Sequence, residues 1–478
     1  MTKLYCARWV LPVVSEPVED GAVAVEGTRV AGVGARGALL ERFPSAEVEE
    51  LGEAVITPGF VNCHTHLELT AMRGFLEPEE GDFFGWLRKV TVSRGERMSA
   101  EDLYVSAAWG AVEGARAGIT CVADASDSGA TTMRALRDSG LRGVVFQEAF
   151  GPDAGLAAEQ FDKARAKIDS LRGGETALVT LGLSPHSPYS VSPTLLKMLT
   201  RFATAERLPL MMHAAESEAE QSLMLEGTGP FAEAYARRGF AFDTPRTTTV
   251  RHLARVGVLE ARPLLAHCVR VDDGDISLLA RHGAGVAHCP KSNAKLGHGR
   301  APLAAMLAAG VRVGLGSDSV ASNNTCDMLE EARFAVLTSR AAGDTLPGGH
   351  EAAQEGARKA VREGVSGAVH EGGRMANASD ALRMMTRGGA EALNMEGSTG
   401  ALAEGLEADL VAVRLGAAHQ TPAYDPAAAL VFSSSGRDVL LTVVAGREVF
   451  RDGRVTTLDE EDLRARARDL SRRLAGPA

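Results

Sequence analysis

From Val55 onward, short apolar runs alternate with longer stretches whose apolar residues recur every three or four positions. The runs are "VITPGFVNC", "GITCVADA", "GVVFQEAF", "ALVTLGLS", "LPLMMHA", "RPLLAHC", "GAGVAHC" and "VRVGLGSD", each about as long as a buried strand. Between them lie helix-period stretches such as "SAEDLYVSAAWGAVEGARAG" and "APLAAMLAAG". Apolar strands that alternate with helices predict an α/β fold with a parallel sheet. The eight runs predict a (β/α)8 barrel of the TIM type, with its chemistry on the loops after the strands. After the eighth run the pattern predicts a helix over "CDMLEEARFAVLTSR", a Gly- and Ala-rich stretch over 341–376, and another helix over "SDALRMMTRGGAEALN". Before Val55 the texture differs: "AVAVEGTRVAGVG" alternates around a glycine turn, as a hairpin does. Strand and turn texture returns in "GALAEGLEADLVAVRL" and "DVLLTVVAGREVFRDGRV". The expectation is one small β-sandwich domain built by residues 1–55 and 401–478, the second part ending in a helix, with a barrel of residues 56–400 inserted between them.

Bulk composition narrows the function classes. The chain has 478 residues, 45% hydrophobic and 24% charged, with a net charge of −11. No basic run is present to grip a polyanion, which argues against nucleic-acid binding. No window approaches the roughly 18 apolar residues of a membrane span. The six cysteines are scattered without a C-x-x-C pair, as small core residues in a reducing compartment would be. The opening "MTKLYCARWVLPVVSEPVEDG" makes a poor signal peptide, so a cytoplasmic protein is expected.

The histidines change the picture. His64 and His66 follow the first apolar run one residue apart, so in a strand they share a face while Thr65 points away. Alone, a His-x-His pair is more often bland than metal-binding. Here His186 ends the fourth run, His213 the fifth, His267 the sixth and His288 the seventh, with Asp318 closing the eighth. Glu216 stands three residues after His213. Each has a dull explanation as a core or capping residue. Their joint placement at strand ends points to convergent metal ligands.

The stretches "PGFVNCHTHLEL", "HAAE", "HCPKSN", "GSDS" and "EGLEADLVAV" together resemble the metal-dependent amidohydrolase superfamily, and within it the deaminases of purine nucleosides and related aminoheterocycles. The resemblance implies a distorted barrel with a β-sandwich formed by both termini. It also implies metal ligands at His64, His66, His213 and Asp318. Binuclear members carry a bridging lysine at the end of the fourth strand; "ALVTLGLSPHS" has none, so one divalent metal is expected. Zinc suits three imidazoles and a carboxylate, with iron as the alternative. Such a metal lowers the pKa of water from 15.7 to about 7, yielding a hydroxide nucleophile. By the same resemblance Asp318 accepts that water's proton, Glu216 is the general acid/base, and His267 hydrogen-bonds the attacking water. His288 reads as structural.

The resemblance also bears on substrate. "SPHSPYSVSP" looks like the corresponding loop of S-adenosylhomocysteine and methylthioadenosine deaminases, while "HTHLEL" with "FFGWLRKV" looks like the aminodeoxyfutalosine deaminases of a menaquinone route. Aminodeoxyfutalosine is expected foremost, with the other two nucleosides, or guanine and triazines, as alternatives. Glu68, Trp86, His186 and Ser322 are the candidate substrate contacts, although Trp86 can equally be packing and Ser322 a helix cap. A metal-free structural relative is the contrasting class, and the presence of all four ligands argues against it. The 341–376 stretch, with His350 and His370, reads either as a lid or homodimer contact or as an exposed variable insertion. A small molecule is the expected partner.

Overall fold

The computed structural model describes residues 2–239, 242–347 and 373–476. His350 and His370, and with them most of the 341–376 stretch, lie outside the described residues. The chain opens with β1 (Thr2–Val10), β2 (Val18–Glu26), β3 (Arg29–Ala35), β4 (Glu47–Glu50) and β5 (Ala54–Pro58). The parallel strands follow as β6 (Phe60–Thr65), β7 (Ile119–Ser126), β8 (Arg142–Ala149), β9 (Val179–Pro185), β10 (Met211–Ala214), β11 (Leu264–His267), β12 (Gly285–His288) and β13 (Arg312–Leu315). Last come β14 (Leu410–Arg414), β15 (Val439–Val444), β16 (Arg447–Arg451) and β17 (Arg454–Val455), then a helix over Glu460–Ala475.

The two ends of the chain meet in one mixed sheet of nine strands among the described residues, ordered β17-β16-β15-β14-β5-β1-β2-β3 with β4 also beside β1. β14 runs antiparallel to β5, with Leu410 opposite Pro58 and Arg414 opposite Ala54. Tyr5, Val23 and Ile56 from the first end share an apolar cluster with Leu410, Leu441 and Val443 from the second. Alternate positions of each strand therefore face a core common to both ends.

Each of the eight apolar runs contains a parallel strand, in two sets of four: β6-β7-β8-β9 and β10-β11-β12-β13. Hydrogen bonds join the two sets at both edges. Leu183 N donates to Pro209 O at 3.0 Å, and Asp318 N donates to His64 O at 2.9 Å. One expectation needs correction. "VITPGFVNC" reads as a single strand, but it divides at Gly59 into β5, which joins the terminal sheet, and β6, which opens the parallel set. Only glycine fits there, because a Cβ would collide with the Thr120 side chain.

The predicted helix after the first parallel strand spans Ala100–Arg116 and starts with a capping box between Ser99 and Asp102. "SDALRMMTRGGAEALN" forms two helices rather than one, Ala378–Met384 and Arg387–Ala392. The second is pressed directly onto the strands. A Cβ at Gly389 would sit 2.9 Å from Val61 Cβ, and one at Gly388 2.8 Å from Val313 O. The glycine pair permits that approach and weakens helix continuity at the same place.

A buried ion pair staples the parallel strands to the terminal sheet. Arg142, at the start of β8, donates through Nε to Asp409 Oδ2 at 2.7 Å and through Nη2 to Oδ1 at 3.2 Å. Thr399 Oγ1 and Ala445 N donate to the same carboxylate at 2.9 and 2.7 Å. All six cysteines are buried and unpaired. Among the described residues no helix is long and apolar enough to cross a membrane.

Candidate active site

Four residues at the strand ends hold backbones that L-residues rarely adopt: Ala215 (φ 52°), His267 (φ 74°), Cys268 (φ 46°) and Asp318 (φ 55°). Such conformations persist only where the surroundings over-determine them, and they cluster at functional sites. Here the constraints are visible. Ala215 N and Glu216 N donate to the two carboxylate oxygens of buried Glu220, at 2.8 and 2.9 Å. Asp318 is tied back to β6 through His64 O. The turns after β10 and β13 are thereby held in place.

These turns bring His64, His66, His213 and Asp318 together. His66 Nε2 lies 3.2 Å from His213 Nε2 and 3.6 Å from Asp318 Oδ1, while His64 Nε2 lies 3.3 Å from the same oxygen. For metal–ligand bonds of about 2.0–2.1 Å the edge of a tetrahedron is about 3.3 Å, so these spacings are those of ligands around one ion. The donors are also in the right form. Burial, with neighbouring imidazoles adding to it, pushes His66 well below its ordinary range and His213 to about 4, leaving lone pairs free. Burial opposes ionisation of Asp318, yet the close approach of His64 and the other nearby imidazoles hold its carboxyl well below the usual range. His213 Nδ1 faces the backbone carbonyl of His186 at 2.9 Å, which leaves Nε2 for the cluster. Neither ring nitrogen of buried His64 has a hydrogen-bond partner. Unsatisfied buried groups of this kind mark a site for an ion. The residues fit a metal.

Serine hydroxyls orient the carboxylate from behind. Ser292 Oγ and Ser322 Oγ donate to Asp318 Oδ2 at 2.6 and 2.7 Å, leaving Oδ1 for the cluster. Ser322 is thus already engaged with Asp318. His267 Nδ1 faces Asn293 Oδ1 at 2.9 Å, which turns Nε2 toward Glu216 Oε1 at 3.6 Å. Burial disfavours a charged Glu216, but His267 and His298 beside it bring its carboxyl down to about 2. Burial works against a charged His267 too, and Glu216 and Asp318 raise it above its ordinary value. Glu216 is therefore ionised.

A cavity of about 500 Å³ opens over this cluster, lined by His66, His186, His213, Glu216 and Asp318 on one side and by Phe83 and Trp86 on another. Its size falls within the roughly 300–1,000 Å³ of small-molecule sites. His186 Nδ1 is engaged by Ser187 and Ser190 at 3.0 and 2.7 Å, so its Nε2 edge faces the cavity. Trp86 is buried among Leu69, Met72 and Val90 and presents one surface to the cavity. Glu68 also lines it, but its oxygens already accept from Ser126 Oγ at 2.7 Å and pair with Arg94 at 3.0 Å. His288 is buried and does not line the cavity.

Several participants escaped the sequence reading. Asn293 and Ser292 lie in the quoted "HCPKSN", but a sequence shows neither which residue they orient nor that they orient one. His298 and Glu220 carried no signal. Glu148, on β8, lines the cavity with Oε1 unpartnered; burial and the charges of Glu68 and Asp127 push its carboxyl up to about 8.

Imidazoles and a carboxylate at the ends of parallel strands, beside a free carboxylate and an open cavity, define a site for metal-assisted hydrolysis. The amidohydrolase family model matches residues 55–449, and the chain belongs to that family. It is 34% identical, over 95% of its length and 94% of the relative's, to a 5-methylthioadenosine/S-adenosylhomocysteine deaminase of Pelotomaculum thermopropionicum. Among solved structures it is similar to a zinc-bound adenosine deaminase of Xanthomonas campestris, with a TM-score of 0.82, 26% identity and 98% of both chains covered. A zinc-complexed atrazine chlorohydrolase of Arthrobacter aurescens shares the fold, with a TM-score of 0.79 at 23% identity, over 98% of this chain and all of that one.

Proposed function

We propose that the protein removes the 6-amino group of adenine-type nucleosides carrying a 5′ substituent, with methylthioadenosine and S-adenosylhomocysteine foremost. It is an aminohydrolase of the amidohydrolase family acting on cyclic amidines. The observation that carries the finer reading is the cluster of three imidazoles and one carboxylate beside a metal-free carboxylate, Glu216, in a nucleoside-sized cavity. The sequence expectation ranked aminodeoxyfutalosine first and tied it to menaquinone synthesis. The 34%-identical relative is instead named for methylthioadenosine and S-adenosylhomocysteine, which moves those two substrates to the front. The atrazine chlorohydrolase, at 23% identity, informs the fold alone.

In this reading His64, His66, His213 and Asp318 hold one divalent ion, zinc first, and the two sets of parallel strands are the halves of one distorted barrel spanning about 56–400. The bound metal supplies an activated water at neutral pH. Glu216 takes one proton from the attacking water and passes it to the ring nitrogen next to the amine-bearing carbon, which makes that carbon electrophilic. Asp318, fixed by Ser292 and Ser322 through Oδ2, accepts the water's second proton and passes it to the departing amine, which leaves as ammonia. His267 orients that water. His186 and Trp86 contact the nucleoside beyond the base, and the walls exclude bulk solvent from the reacting carbon. The test is ammonia release by zinc-loaded protein over methylthioadenosine, S-adenosylhomocysteine, adenosine, aminodeoxyfutalosine, guanine and a triazine amine. Turnover confined to the last two would overturn the nucleoside reading.

A further inference from the structure

His298 follows the helix Pro290–Lys295 in the stretch "KLGHG", flanked by Gly297 (φ 70°) and Gly299 (φ 103°) in conformations that favour glycine. It is buried, and its backbone N–H donates to Asn293 O at 2.9 Å. Asn293 also holds His267 through its side chain, so one residue anchors both imidazoles that flank Glu216. His298 Nε2 lies 3.4 Å from Glu216 Oε1, and His267 Nε2 lies 3.6 Å from that same oxygen. His298 Nε2 has no hydrogen-bonded partner. Its ring stands edge-on to Phe83 at 4.6 Å, on the far side of the cavity wall, and His298 itself does not line the cavity.

We propose that His298 is a positioning residue for Glu216: its Nε2–H holds Oε1, so that Oε2 is the oxygen presented to substrate. This rests on the reading of Glu216 as the acid/base. Glutamate has rotatable bonds to spare, and a shuttle must meet the attacking water and then a ring nitrogen along defined directions. Two imidazoles converging on one oxygen leave the other with a fixed aim. Catalytic hydrogen bonds are often long before substrate arrives, and a small rotation closes the 3.4 Å gap. Packing beneath Phe83 alone would be served as well by an apolar side chain, which would not bury an unpaired nitrogen.

The test uses the zinc-loaded full chain and methylthioadenosine. His298→Ala should lower kcat by about 10- to 100-fold with KM changed less than about threefold, and His298→Asn, which keeps an N–H donor, should recover much of the loss. In a Glu216→Gln background, His298→Ala should cost less than about twofold, because the residue it positions is already disabled. Equal losses in both backgrounds would overturn the proposal in favour of a packing role, as would kcat within about twofold of wild type in the single variant. A crystal structure of zinc-loaded His298→Ala asks the same question without turnover, and so stands even if methylthioadenosine is not a substrate. Glu216 spread over several rotamers is expected; one unchanged rotamer would overturn the proposal. A Glu216→Gln enzyme as active as wild type would instead remove the parent reading of Glu216.

Discussion

Glu216→Gln separates binding from chemistry within one side chain. The two residues have nearly the same shape, and the backbone N–H of residue 216 keeps its bond to Glu220 Oε2, at 2.9 Å in the parent. The proposed ligands His64, His66, His213 and Asp318 are untouched, so zinc content should stay the same. The loss is confined to proton transfer. In the parent His267 and His298 hold the carboxyl at about 2 against the effect of burial, so it enters the reaction ionised, and the proposed shuttle takes a proton and gives it up again. An amide cannot do either. General acid/base groups are typically worth about 10²–10⁴-fold, so kcat on a 5′-substituted adenine nucleoside should fall by that factor, about 2.7–5.5 kcal/mol of barrier. The fold should lose some stability at neutral pH, because a carboxyl held below its ordinary value contributes stability while it is ionised. The assay combines steady-state ammonia release, elemental analysis for zinc and a denaturant melt on the same preparation. A variant that keeps its zinc and works within about tenfold of wild type would refute the shuttle role.

Purified protein should hold about one divalent ion per chain; chelation should abolish turnover and added zinc restore it, whereas two tightly held ions per chain would contradict the single-site reading. Asp409→Ala takes the bidentate partner from the Arg142 guanidinium, which is only 5% exposed, and leaves it Glu407 Oε2 at 3.3 Å; it should cost up to about 3–5 kcal/mol in a denaturant melt with kcat little changed, and a loss under about 1 kcal/mol would show that the staple carries little. Nucleosides extended at the 5′ position should exceed free adenine by at least about tenfold in kcat/KM, about 1.4 kcal/mol, and His186→Ala should shrink that preference; equal rates on the free base would place the recognition elsewhere.

The eight parallel strands were legible because each is buried on both faces and so reads as an apolar run, and their ends marked His64, His66, His213 and Asp318. The division at Gly59 was not legible. The apolar run is continuous through it, and the close approach of Thr120 that restricts position 59 to glycine comes from a residue distant in sequence. The helix broken at Thr386 failed for a similar reason: its periodicity runs on, but Gly388 and Gly389 lie against Val313 and Val61. Among site residues, most of those that meet the cavity from strand ends were found, Glu148 of β8 being an exception, and those that lie behind another side chain were missed. Ser292, Asn293 and His298 sit after β12 with no periodic signal, and their partners Asp318, His267 and Glu216 come from other loops.

The measurement that tests the central claim most directly is the fate of S-adenosylhomocysteine or methylthioadenosine incubated with the zinc-loaded enzyme in heavy-oxygen water. The account predicts stoichiometric ammonia and a product whose purine has gained one solvent oxygen at the former amine position, with the 5′ substituent intact. Release of the 5′ group, cleavage of the glycosidic bond, or no reaction with any adenine nucleoside would contradict it.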